Sequence, residues 1–328
     1  MINKIKYYTS RSTNPHYNLA VEQYLLESVQ DNCCILYLWQ NQNTVVIGRN
    51  QNAWKECRTT ELEEDGGVLA RRLSGGGAVY HDLGNLNFTF LVPTADYDLD
   101  RQLGVIMEGS RLLGISTERS GRNDLLADGR KFSGNAFYEQ GDKAYHHGTL
   151  LVDVDMNKLS KYLKPSRAKL ASKGVDSVRA RVVNLKELKG DITTEKVKVS
   201  MIEAFRKVYG VPMDEVSEDI LDKLRIEELY NRNSSWEWNY GKKLPFSFQC
   251  SERFKWGEIT LQLQADEGII NAAGVYSDAM EWAFAEELKN QLIGKRFSSG
   301  SMREAAEALD CIQEVREDII TMIMKQEI

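Results

Sequence analysis

The segment RRLSGGGAVYH, residues 71–81, joins two adjacent arginines to three consecutive glycines and then runs straight into strand-like sequence. No other part of the chain restricts the fold as much. Consecutive glycines are entropically costly to order, so a folded chain keeps them where the backbone must approach something closely. In a P-loop or dinucleotide fingerprint the glycine-rich turn opens a helix whose N-terminus holds the phosphate. No helix pattern follows here. Residues 78–92 read AVYHDLGNLNFTFLV, dominated by β-branched and aromatic residues, with DLGN at 82–85 as a turn between strands. The loop therefore belongs to an antiparallel or mixed sheet. Its backbone N–H groups can form an anion nest, and Arg71 or Arg72 can supply full charge; the alternative is a flexible hairpin tip.

Short elements between turn signals continue along the chain. Asn14 and Pro15 make a helix start, and Tyr17, Val21, Tyr24, Leu25 and Val29 recur at helical spacing, which predicts a helix over 15–29. Strands are expected at 35–39 and 44–47, joined into a hairpin by the polar turn 40–43. A helix is expected over 100–113, followed by strands separated by Asp128-Gly129 and by Gln140-Gly141-Asp142. Trp236, Trp238 and Tyr240 alternate as on a strand face. After residue 247 the pattern restarts, with strands at 254–260, 261–264 and 269–276 and then two helices. The expected architecture is α+β: a mixed, largely antiparallel sheet with flanking helices in residues 1–246, and a small α+β domain in 247–328.

Composition removes several function classes. The formal net charge is -6, so a nucleic-acid partner would need a local basic patch and none is expected. No apolar run approaches the roughly 20 residues that cross a bilayer, and MINKIKYYTSRSTN has no apolar signal core, so neither membrane insertion nor export is expected. Cys33, Cys34, Cys57, Cys250 and Cys311 show no CxxC spacing, which suits reduced thiols and a cytoplasmic protein; a monomer is the expected state. One stretch departs from the acidic average, with ten Lys or Arg and two acids between Lys158 and Lys189. It reads as a solvated surface, as a loop closing over a nucleotide, or as a docking face for an acidic partner.

Three further clusters carry candidate chemistry: Asn123-Asp124, KFSGNA at 131–136, and His146-His147. Lys131 opens a strand-like stretch with Ser133 expected on its face and Gly134 beside it, so its ammonium can reach a phosphate or an acyl carbonyl. Asp124 suits a hard cation carried by a nucleotide, or else caps a turn. Adjacent histidines on a strand point to opposite faces and cannot share one metal, and no HExxH spacing occurs, so zinc is not expected.

Taken in order, these segments resemble the lipoate-protein ligase A family, within the wider biotin and lipoate ligase group. The matching motifs are NLAVEQYLL (18–26), TVVIGRNQNAWKEC (44–57), RRLSGGGAVYHDLGNLNFTF (71–90), GRNDLLADGRKFSGNAF (121–137) and HHGTLL (146–151), continuing through KLASKGVDSVRARVVNL and SSWEWNYG. They span most of residues 1–241, and the C-terminal segment is similar to the family's accessory domain. The resemblance implies a catalytic domain related to class II aminoacyl-tRNA synthetases and a two-step reaction. Lipoate attacks the α-phosphate of ATP, giving lipoyl-AMP and pyrophosphate; a lysine of an apo lipoyl domain or of the glycine cleavage H protein then displaces AMP. Octanoate is an expected second substrate.

By the same resemblance, Arg72 and Lys131 are the catalytic cations with Asp124 beside them. Arg72, Gly77, Ala78, Val79, Tyr80, Asn123, Lys131, Lys173 and Arg179 are implied at ATP and the adenylate. Arg71, Ser74, Gly75, Gly76, Lys131, Gly134 and His147 are implied at lipoate. Asp124 is assigned either to Mg²⁺ or to orienting the incoming lysine, and Arg71 either to a second charge or to structure. Residues 169–185 align with a loop that orders over the adenylate, placing Lys173, Arg179 and Arg181 against the adenylate or the acceptor. Three competing readings stand. A transferase that relays the acyl group through cysteine needs a thiol in the motifs from Arg71 to Leu151, and none is there. A second transferase would use only preformed lipoyl-AMP. A non-catalytic nucleotide-binding module is opposed by Lys131 in KFSGNA.

Overall fold

The computed structural model describes residues 1–121, 124–164, 182–241 and 246–326. Its strands are β1 (Lys4–Thr9), β2 (Cys33–Trp39), β3 (Thr44–Ile47), β4 (Val68–Arg71), β5 (Val79–His81), β6 (Asn85–Pro93), β7 (Glu118–Ser120), β8 (Asp124–Ala127), β9 (Arg130–Gln140), β10 (Lys143–Leu151), β11 (Met213–Glu215), β12 (Phe248–Arg253), β13 (Glu258–Asp266) and β14 (Ile269–Ser277). Eight of them form one sheet in the order β11-β1-β2-β6-β10-β9-β8-β7. β1 is parallel to β2 and β11, and the other pairs are antiparallel. The fold is α+β with a mixed, largely antiparallel sheet, as the sequence indicates.

The pattern of β6 explains the layering. Leu86, Phe88 and Phe90 point to one face, where they join Leu36, Leu38 and Leu150 in the main core beneath the helices Leu99–Leu112 and Thr194–Tyr209. Asn85, Asn87 and Thr89 point to the other face, yet all nine residues of β6 are buried. That polar face is covered by α1 (Pro15–Ser28), which packs on β2, β6 and β10. The helix begins where the sequence places it: the Asn14 side chain accepts from the N–H groups of His16 and Tyr17, and Pro15 has no N–H to satisfy.

Several expectations give way. β2 and β3 do not form a hairpin: β2 lies in the large sheet, and β3 is the middle strand of a separate three-stranded sheet, β4-β3-β5. The connecting turn is held by Asn18 of α1, whose Nδ2 donates to the Gln40 carbonyl and to Asn41 Oδ1, so the chain is redirected between sheets. The alternating aromatics Trp236, Trp238 and Tyr240 lie on a short helix, Trp236–Tyr240, started by Ser235, whose Oγ accepts from the Trp238 N–H. In the C-terminal segment Phe254 and Gly257 close a turn rather than opening a strand. Three helices follow β14, not two: Ala283–Leu292, Ser299–Glu307 and Gln313–Met324.

Two compact units account for the chain. Met1–Val46, Cys57–Arg71 and Val79–Asn239 make the first; Ile47–Glu56, Arg72–Ala78 and Tyr240–Ile328 make the second. The second has its own core, with Ile259, Leu261 and Leu263 of β13 against Phe284, Leu288, Met302 and Ile319 of its helices. It also takes in the glycine loop.

Candidate active site

Cross-strand register assembles the first unit's polar face. Trp39, Asn87, Thr149, Gly134 and Asp124 are successive partners across β2, β6, β10, β9 and β8. One step along the strands, Tyr8, Tyr37, Thr89, His147 and Ala136 form the next row on the same face. Directly paired residues project together, so both rows turn their side chains to the α1 side of the sheet.

Lys131 reaches this face through an irregularity. Leu125 pairs with Ser133, but Leu126 pairs with Lys131, which leaves Phe132 as an extra residue in β9. A bulge of this kind breaks the alternation of side chains. Phe132 and Ser133 are both fully buried, Phe132 in the main core, while Lys131 shares the face of Asp124 and Gly134. The expectation that Lys131 and Ser133 lie on one face is therefore corrected. The Lys131 carbonyl accepts from the Val183 N–H at 2.9 Å, which fixes the bulged backbone. Its Nζ stands 2.7 Å from Asp124 Oδ1, with the two side chains 36% and 42% exposed. Ion pairs this accessible contribute about 0–1 kcal/mol, so an anionic ligand can take the ammonium from Asp124 at little cost.

His147 is held differently. Its Nδ1 lies 2.8 Å from Glu22 Oε1, which also accepts from Thr89 Oγ1 at 2.7 Å, and Thr89 Oγ1 accepts from Trp39 Nε1 at 3.1 Å. Glu22 of α1 is 2% exposed. This buried chain orients the imidazole and the indole together. Its neighbour His146 points into the core, with Nδ1 3.1 Å from Gln102 Oε1 and Nε2 2.9 Å from Asn135 Oδ1, and burial lowers its pKa to about 3. The two histidines thus face opposite ways, as strand geometry requires.

The paired arginines also diverge. Arg71, at the end of β4, donates from Nε to the Trp238 carbonyl and from Nη2 to the Asn239 carbonyl, both at 2.7 Å, and its own carbonyl accepts from Trp238 Nε1. It ties β4 to the short helix and is buried there. Tyr80 is buried in β5, an edge strand of the small sheet, with its hydroxyl donating to Asn43 Oδ1 at 3.0 Å; Val79 precedes it.

In the second unit, Arg72 folds back on its own loop. Nε donates to Ser74 Oγ at 3.0 Å, and Nη2 donates to the carbonyls of Gly75 and Gly77 at 2.7 and 2.8 Å. The glycines serve a close approach. The Gly76 N–H donates to the Ala279 carbonyl, Gly76 has φ +88°, and a Cβ on Gly75 would collide with the carbonyls of Ala279 and Met280. Gly77 and Ala78 lead into β5. Asn123, Lys173, Arg179 and Arg181 lie outside the described residues.

Residues 14–206 match the lipoyl protein ligase A/B catalytic domain, and residues 243–324 match the bacterial lipoate protein ligase C-terminus. The chain belongs to the lipoate-protein ligase family. The crystal structure of P. falciparum LipL1 in complex with lipoate is similar over 98% of this chain and 99% of that one, at 29% identity and TM-score 0.86. A bipartite lipoate protein ligase from Thermoplasma acidophilum, described with its E2 lipoyl domain, is similar over 76% of this chain and 100% of that one, at 27% identity and TM-score 0.65. Lipoate-protein ligase A bound with ATP is similar over 74% and 99% respectively, at 26% identity and TM-score 0.64.

For a ligase of this family the cysteines matter chiefly by their burial. Cys33, Cys34, Cys57 and Cys250 are buried and Cys311 is half-buried. Desolvation pushes Cys57 to about 12 and Cys250 to about 11, and raises Cys33, Cys34 and Cys311 as well. Thiolates are disfavoured at all five positions, the reverse of what an acyl relay through sulfur requires. Among the described residues no group of three or more His, Cys, Asp or Glu side chains could hold a metal, and no helix is long and apolar enough to cross a membrane. A single carboxylate such as Asp124 fits an ion that arrives with a triphosphate, because Mg²⁺ keeps most of its shell from water and phosphate.

Glu22, Thr89 and Trp39 do not stand out in the sequence as site residues. A signal was present in the polar-apolar alternation of NLNFTF and in a glutamate on the apolar stripe of α1.

Proposed function

We propose that this chain is an ATP-dependent lipoate-protein ligase that activates free lipoate as lipoyl-AMP and then acylates a lysine of an apo lipoyl domain. The supporting observation is Lys131. A bulge delivers it to the polar face of the sheet, over a glycine, with a weakly held carboxylate as its only described ion-pair partner. A carboxylate and a triphosphate repel each other, so bringing them to reaction needs a cation that can leave its resting partner. Lipoate binding in the P. falciparum protein, ATP binding in lipoate-protein ligase A and the lipoyl domain of the T. acidophilum system support the same assignment.

In the first step a lipoate carboxylate oxygen attacks the α-phosphorus, the bond to the bridging oxygen breaks, and pyrophosphate leaves. Lys131 neutralises charge on the carboxylate and the α-phosphate. Gly77, Ala78, Val79 and Tyr80 offer backbone contacts to the nucleotide, on a loop shaped by Arg72, Ser74, Gly75 and Gly76. Asn123, Lys173 and Arg179 are further proposed adenylate contacts. Mg²⁺, with Asp124 as its one protein carboxylate, would screen the triphosphate charge. In the second step a neutral lysine amine attacks the acyl carbon, AMP departs, and the nitrogen loses a proton to solvent. Release of Asp124 from Lys131 also leaves that carboxylate free to orient the incoming ammonium before its proton is lost.

His147, fixed through Glu22, and Gly134 line the proposed lipoate side. Arg71 acts there as a structural tie. Acceptors are apo lipoyl domains of 2-oxoacid dehydrogenases and the glycine cleavage H protein. Lipoate-dependent incorporation of labelled pyrophosphate into ATP, with no acceptor present, tests this reading.

A further inference from the structure

Asn85 and Asn87 stand two residues apart on the polar face of β6 and are 0% and 1% exposed. Their amides are joined head to tail, with Asn85 Nδ2 donating to Asn87 Oδ1 at 2.9 Å. This leaves Asn87 Nδ2 and Asn85 Oδ1 buried and without a hydrogen-bond partner among the described residues. Buried polar side-chain atoms are nearly all paired in folded proteins, and each exception calls for a reason. Ser133 Oγ is another such atom, but it points among apolar core residues; Asn87 lies in the same register row as Gly134 and Asp124.

The position within that row indicates what the free donor meets. Thr149 separates Asn87 from Gly134, and Trp39 lies on the far side of Asn87. Two strand spacings, about 10 Å, therefore separate the place where the Lys131 ammonium rests from Asn87. A carboxylate held by Lys131 and followed by an extended medium-length acyl chain crossing Thr149 brings its distal atoms to the Asn87 amide. Lipoate ends in a dithiolane whose sulfurs are weak acceptors, whereas octanoate ends in methylene and methyl groups. A hydrocarbon end seated there leaves the Asn87 N–H unpaired in a site closed to water. A buried donor discriminates in this way, by the ligand that fails to satisfy it.

We propose that the Asn87 side-chain amide is a specificity-determining contact for the distal end of the acyl substrate, favouring a sulfur-bearing ring over a plain alkyl chain. This rests on the adenylating reading given above. It assigns selectivity to a residue remote from the reacting carboxyl group, so its loss changes which acid is used rather than the chemistry at phosphorus.

The test uses the full chain and pyrophosphate exchange with lipoate and with octanoate, giving kcat/KM for each. The native protein is expected to prefer lipoate, and equal use of the two acids by the folded native chain would overturn the proposal. Asn87→Leu, which keeps the branching of the side chain and removes the donor, is expected to lower the lipoate-to-octanoate ratio about five- to tenfold, chiefly through KM. Asn87→Ala reads the same ratio if the leucine side chain prevents folding. A ratio that stays at the native value in a folded variant, whether or not both rates fall together, overturns the proposal and leaves the asparagine pair as a structural link. No exchange with either acid in the native protein overturns the adenylating reading and this inference with it.

Discussion

The ammonium of Lys131 rests on Gly134: a Cβ at that glycine would stand 3.0 Å from both Cε and Nζ. The obstruction falls on the flexible tip of a side chain, not on backbone, so the fold can absorb it by moving the lysine. Gly134→Ala is expected to shift the melting temperature by no more than about 2–4 °C and to lower adenylation on the order of tenfold, because a reacting group displaced by a fraction of an ångström loses its alignment. Unchanged kcat/KM in a folded variant would show that the resting place of the ammonium has no bearing on activity.

Gly75 gives the opposite balance. A Cβ there meets two main-chain carbonyls, those of Ala279 and Met280, which have no rotamer with which to retreat. Gly75→Ala is expected to cost about 1–3 kcal/mol of stability, read as an earlier urea midpoint for the transition that reports the second unit. A native midpoint would mean that the loop is not seated on the 279–280 turn.

How much of this was legible in the sequence depends on the range of the interaction. The helix at Asn14-Pro15 and the strands around Asp128-Gly129 and Gln140-Gly141 follow from local turn and cap chemistry, and so they appear where the sequence puts them. The β2–β3 hairpin fails because a side chain from α1, Asn18, decides where the turn sends the chain. Phe132 looks like one more alternating strand residue, and only pairing with β8 reveals it as the bulge that turns Lys131 away from Ser133. Glu22 and His147 are 125 residues apart, and nothing in either segment names the other. Association of residues 72–78 with the C-terminal segment is likewise invisible to any local pattern.

Buried neutral histidine makes stability depend on pH. His146 has a folded-state pKa lowered to about 3 by desolvation, and His16 one lowered to about 4, against about 6.5 for an unfolded imidazole. Below 6.5 the unfolded chain binds protons that the folded chain refuses, so this contribution is complete above 6.5 and is lost as pH falls towards the folded values. Each histidine adds a slope of at most about 1.4 kcal/mol per pH unit. His146→Gln is expected to flatten the dependence of unfolding free energy between pH 6.5 and 4, with the His16 share remaining. A slope identical to that of the native protein would contradict a neutral, buried His146.

With every thiol buried or half-buried and its pKa raised, acyl transfer is expected to proceed without a protein thioester. Intact-mass spectrometry after incubation with lipoate and ATP is expected to show only unmodified chain, and Cys311→Ser is expected to ligate at the native rate. A stable acyl adduct on cysteine, removable by hydroxylamine, would point instead to a relay through sulfur.

In the proposed reaction free lipoate is activated at Lys131. Exchange of labelled pyrophosphate into ATP, measured with lipoate and Mg²⁺ and without acceptor, isolates that step. Lipoate-dependent exchange is expected from the native chain, with a loss of at least about a hundredfold in Lys131→Ala. Absence of exchange in the folded native chain, or native exchange in the Lys131→Ala variant, would contradict it.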